Sequence, residues 1–153
     1  MKNTAARPEP SGNLALTWTI AQEGSAMKIT RIEAFQVAWS PNDKPQQHSA
    51  FVLVHTDDGL TGIGEASLNG WEAEQFAHVE RLKPQLVGKT LDEAAPQLCV
   101  YAHSPGGLIA SSVISALEQA VTDLRAKQAG LPLHALLGKA RRKTEMYAAR
   151  FAS

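Results

Sequence analysis

The residues of this sequence that could do chemistry are few and scattered. The histidines are His48, His55, His78, His103 and His134. None forms a His-x-x-x-His pair and no cysteine pair accompanies them, so the usual spacing of a zinc site is missing. Cys99 is the one cysteine, which excludes an internal disulfide and fits a reducing compartment. It lies among Leu98, Val100 and Tyr101 with no cation beside it to lower its pKa, and reads as a small core residue. Gly88-Lys89-Thr90 ends as a phosphate-binding loop ends, but Lys83 stands where that motif needs glycine. Gly62 and Gly64 lack the third glycine of a dinucleotide fingerprint. Glu65 has the type of a general base, yet no partner carboxylate or metal ligand lies near it in the chain, so it reads as a hydrogen-bonding residue. The segment Ser40–His48 offers more. Trp39 can supply an apolar wall, while Lys44 and His48 can meet a carboxylate or hydroxyl groups. Ser67, Asn69 and Trp71 form a second such group. No catalytic residue and no metal ligand is assigned within this chain.

The elements that must position these groups follow from period and punctuation. Lys28 to Trp39 alternates roughly, as a strand does. Ser40 to His48, with Pro41, Asn42, Asp43 and Pro45, is a loop longer than a tight hairpin needs. Ala50 to Thr56 is a second strand, rich in β-branched and aromatic residues. Asp57-Asp58-Gly59 turns the chain into a third strand, Leu60 to Ala66, in which Gly62 and Gly64 allow close backbone approach. The period then becomes helical. Trp71, Phe76, Val79, Leu82 and Leu86 mark a first helix, which Pro84 should kink or end, with Gly88 as a stop. Thr90 and Glu93 form a capping box, so a second helix starts at Leu91, with Pro96 inside it. Ile109, Val113, Ala116, Leu117, Ala120, Val121 and Leu124 make the core stripe of a third helix, with an Asp123–Lys127 pair on its flank and Gly130 as its C-cap. Pro132 to Leu137 is a short helix closed by Gly138, and Thr144 to Phe151 suits one more strand. Strands first and helices after predict an α+β fold: a three-stranded antiparallel meander followed by a helical bundle.

Composition narrows the partners. The 153 residues carry 15 basic and 15 acidic side chains, so no net field steers the chain onto nucleic acid or an anionic membrane. No apolar run approaches the roughly 20 residues that span a bilayer. Leu14 to Ala21 only weakly mimics a signal peptide, and a cytoplasmic location is expected. Residues 1–26 read as a disordered extension and Met27 as an alternative start.

Met27-Lys28-Ile29-Thr30-Arg31-Ile32-Glu33 resembles the opening of mandelate racemase and muconate-lactonizing enzymes, in the enolase superfamily. Asp58 to Ala66 is similar to their second hairpin, and Leu86-Val87-Gly88-Lys89 to the break between their first helices. Ala116 to Leu124, then Ala126 to Leu133 and Leu136-Leu137-Gly138, resembles their long helix and the run into the barrel. Thr122 stands where that family often has Trp. The resemblance implies a capping domain over residues 27–138, whose first loop closes over a TIM barrel and helps choose the substrate. It implies that barrel ligands hold Mg²⁺ and barrel bases take a proton α to the carboxylate of a small carboxylate or acid-sugar substrate. A barrel needs roughly 200–250 residues. Fifteen follow Gly138, so residues 139–153 are expected to be a linker and at most the first strand of a missing barrel. The expected roles are substrate capping for a racemase, cycloisomerase or acid-sugar dehydratase, without catalysis or cofactor in this chain alone, or instead a free-standing, self-associating interaction module.

Overall fold

The computed structural model describes residues 26–40, 47–102 and 106–138. Three strands come first: β1 (Ile29–Trp39), β2 (Gln47–Thr56) and β3 (Thr61–Glu65). They form one antiparallel sheet in the order β1-β2-β3, a meander. Four helices follow: α1 (Glu72–Leu86), α2 (Leu91–Ala102), α3 (Gly107–Gln128) and α4 (Leu133–Leu136). This is the α+β architecture expected from the sequence. The predicted strand over residues 144–151, the linker 139–153 and the extension up to residue 25 lie outside the described residues. No helix among the described residues is long and apolar enough to cross a membrane.

The alternation in β1 is broken for a structural reason. Ile29 and Ile32 differ in parity, yet both are buried. A register irregularity between Ile29 and Arg31 supplies the extra residue that turns both side chains inward. The start of β1 is tied down as well. Ile29 N–H donates to Lys89 O (2.9 Å), Gly88 N–H to Ile29 O (2.8 Å) and Leu91 N–H to Met27 O (3.2 Å). The α1–α2 connection therefore acts as a short clasp on the strand that opens the domain.

The sheet buries one face against α3. Val52, Val54, Val113, Leu117, Val121 and Leu124 are all nearly inaccessible there. The close approach depends on two glycines. A Cβ at Gly62 would lie 2.1 Å from the Ala120 carbonyl oxygen, and one at Gly64 would lie 1.8 Å from that of Ala116. Backbone packs directly on backbone at both positions, which only glycine permits.

That approach closes the open edge of β3. Glu65 N–H donates to Gln119 Oε1 (3.2 Å), and Ile63 N–H donates to Asp123 Oδ2 (3.1 Å). Thr61 O accepts from Lys127 Nζ (2.6 Å). Residues at i, i+4 and i+8 of α3 thus stand in for a fourth strand. A bare edge would offer these groups to another chain. The Asp123–Lys127 pair is present at 2.7 Å, as its spacing predicts, but its larger role is this contact with the edge.

Three sequence expectations need correction. The buried stripe of α1 is Gln75, Val79, Leu82 and Leu86, so Trp71 and Phe76 do not supply its first turn. Helix α1 begins at Glu72, and Trp71 is its N-cap, outside the helix. Pro84 does not end α1, because it falls in the last turn, where its missing N–H forfeits a single bond. Cys99 is exposed rather than buried. Helix α2 buries only Leu91, Ala94 and Leu98, and Cys99 lies beside that stripe. The capping box is as expected: Thr90 N–H and Oγ1–H donate to Glu93 Oε2, and Glu93 N–H donates to Thr90 Oγ1.

Candidate functional site

Beyond the end of β3, the hairpin of β1 and β2 continues as a two-stranded tongue. Glu65, the last residue of β3, faces Phe51. The tongue runs on through Val37–Ser49, Ala38–His48 and Trp39–Gln47. Strand β2 therefore begins at Gln47, and His48 belongs to a strand. This shortens the loop predicted over Ser40–His48, since antiparallel pairing persists to the Trp39–Gln47 pair. Trp39 closes β1, and Lys44 lies outside the described residues.

The segment after β3 lies alongside this tongue. Ala66 N–H donates to Ala50 O (2.8 Å), and Ser67 Oγ accepts from Ala50 N–H (3.2 Å) while donating to Glu65 Oε1 (2.5 Å). Asn69 is exposed in the turn that follows. Trp71, at the N-cap of α1, is 48% exposed. Glu72 then points back to the tongue: its Oε1 accepts from Gly70 N–H (3.1 Å) and lies 3.9 Å from His48 Nδ1. Its side chain is only 13% exposed. Two groups of residues noted separately in the sequence, His48 in one and Ser67, Asn69 and Trp71 in the other, thus form one rim. Glu65 is part of its support, since its carboxylate holds Ser67. Sequence reasoning did not single out Glu72 or Gln75. Acidic residues are common in first helical turns, so Glu72 carries no special signal, and Gln75 shows itself only as a polar residue on a core stripe.

Chemically, the rim offers an indole face, an amide, a hydroxyl and an imidazole beside a carboxylate. Such groups bind and orient hydroxylated molecules. Among the described residues no three His, Cys, Asp or Glu side chains form a group that could hold a metal ion. Elsewhere, His55 Nδ1 lies 2.9 Å from Thr61 Oγ1, and its Nε2 lies 3.3 Å from Glu33. Burial, and then the Arg31 cation, hold its pKa below the usual value. Two adjoining clefts of about 220 and 500 Å³ lie against α1 and the start of α3, both lined by His78, Arg81, Gly106 and Ala110. They share no residue with the rim.

Known proteins are similar to this chain in sequence and in fold. The chain is 36% identical over 98 residues to a D-mannonate dehydratase from Rhizorhabdus wittichii, covering 61% of this chain and 24% of that protein. It is 33% identical over 126 residues to a D-galactonate dehydratase family member from Halomonas elongata, covering 79% of this chain and 30% of that one. The chain therefore spans less than a third of the length of these relatives. The crystal structure of an enolase-superfamily member from Polaromonas superposes with a TM-score of 0.70 at 27% identity, covering 82% of this chain and 37% of that one. Residues 26–138 match the family described as mandelate racemase / muconate lactonizing enzyme, N-terminal domain. The meander, the helices packed on it and this match together make the chain a member of that family, in the enolase superfamily.

Proposed function

We propose that residues 26–138 act as the lid of an acid-sugar dehydratase, with His48, Asn69 and Trp71 of the rim, together with Trp39 and Lys44, selecting the substrate. The observation that carries this reading is the approach of His48 to Glu72, which joins the tongue and the β3–α1 segment into one surface. The acid-sugar class comes from the dehydratases that the chain resembles. In this reading Mg²⁺ and the bases that abstract a proton α to the carboxylate lie outside residues 26–138. The lid contributes by binding hydroxyl groups and excluding water, which turns part of the binding energy into discrimination between substrates.

The test is to graft residues 26–138 in place of the matching domain of the D-mannonate dehydratase and compare kcat/KM for D-mannonate and D-galactonate. His48→Ala and Trp71→Ala in the graft should change the ratio of these values by about ten-fold, the scale of one lost binding contact. An unchanged ratio in a folded graft would refute the lid. The chain alone, given Mg²⁺ and either sugar acid, should show no dehydration, and turnover would overturn the proposal. A second reading, self-association, draws on exposed Phe35, Val37, Ile63 and Leu137. A monomer by light scattering at high concentration would count against it.

A further inference from the structure

Gln75 is the one fully buried side chain on α1 that is not apolar. It occupies a core position on the stripe that continues through Val79, Leu82 and Leu86. Its Nε2 donates to the Ala66 carbonyl and to Ser112 Oγ on α3 (2.8 Å). Its Oε1 has no hydrogen-bond partner. Burying a polar amide with an orphaned acceptor costs free energy that Leu or Met at this position would not incur. The amide must therefore supply something an apolar side chain lacks, and its two N–H groups supply it. Ala66 joins the end of β3 at Glu65 to the rim segment 67–71. The Gln75 amide holds that point from below, on the same helix whose first residue, Glu72, reaches the tongue.

We infer that Gln75 is a positioning residue that fixes the height of the rim segment 67–71 above the core, by clamping the Ala66 carbonyl to α1 and α3. Its effect on substrate choice rests on the lid reading, whereas the clamp itself does not. Ser67 ties the same segment sideways to Ala50, so the rim is held from two directions. Loss of the Gln75 clamp should loosen the rim while leaving the sheet–α3 core in place.

The test is Gln75→Met in the full chain, followed by amide hydrogen exchange. Met preserves bulk and removes both N–H donors. Exchange at residues 67–71 should rise about ten-fold, the effect of one buried hydrogen bond, while the amides of β2 and α3 stay protected. A rise spread evenly over the domain, or no rise at the rim, overturns the inference. If Gln75→Met does not fold, Ser112→Ala removes one of the two acceptors, and no selective rise at the same amides would again overturn it. Gln75→Met in the grafted dehydratase separates the two proposals. A shift in the D-mannonate to D-galactonate ratio with kcat retained supports both. Rim exchange that rises without such a shift upholds the clamp and refutes the lid.

Discussion

Asp123→Ala tests the closed edge of β3. Asp123 Oδ2 accepts from Ile63 N–H at 3.1 Å and from Lys127 Nζ at 2.7 Å, and its side chain is 21% exposed. A hydrogen bond to a charged acceptor contributes about 1.5–3 kcal/mol. Ile63 is 47% exposed, so water can partly replace the lost partner, and the lower part of that range applies. The Lys127 pair adds about 0.3–0.5 kcal/mol, as helix-surface pairs do. The expected loss is therefore about 1.5–2 kcal/mol, or roughly 6–10 °C in Tm for a folded region of this size. Asp123→Asn keeps an acceptor for Ile63 and should lose less than about 0.7 kcal/mol. Urea melts of the three proteins measure the difference, and hydrogen exchange at Ile63 locates it. The reasoning fails if Ala is as stable as Asp, or if Asn costs as much as Ala. The exposed edge should also bring concentration-dependent association in the Ala variant, read by light scattering.

Gly64→Ala should cost at least about 3 kcal/mol, because its Cβ meets the Ala116 carbonyl rather than a side chain that can move. Soluble yield and a denaturant melt will show whether the sheet and α3 still pack. Thr90→Ala should cost about 0.5–2 kcal/mol through the lost N-cap of α2. It should also change the acid limb of stability. Hydrogen bonds from Thr90 hold the Glu93 pKa below its ordinary value, so the unfolded chain takes up that proton first as pH falls. The contribution of Glu93 is complete above the unfolded value and is lost as pH drops through the lowered folded one. Thr90→Ala keeps the backbone N–H bond, the larger cause, and loses the hydroxyl bond, so that pH dependence should weaken only in part. Burial, and then the Arg81 cation, lower the His78 pKa, so Arg81→Gln should move its NMR titration upward.

Local chemistry in the sequence determined the elements. The turn at Asp57-Asp58-Gly59, the capping box at Thr90 and Glu93, and the apolar stripe of α3 each depend on residues a few positions apart; the turn and the box are present as read, and the stripe is present from Val113 to Leu124, with Ala110 and Ile114 buried in place of Ile109. The glycine pair in β3 was legible as close approach, though not what would approach. Tertiary structure decided the rest, because it joins residues whose spacing along the chain carries no signal. Ile63 meets Asp123 and Glu65 meets Gln119 across 60 and 54 positions. His48 meets Glu72 only because the β1–β2 tongue outruns β3. The rotation of α1 about its axis put Gln75 rather than Phe76 in the core, and Trp71, at the N-cap, is left in the open. The phase of a helix fixes which side chains are buried, and a shift of one residue turns it by about 100°. Apolar spacing alone could not settle that shift for so short a stripe. Contact with the sheet did.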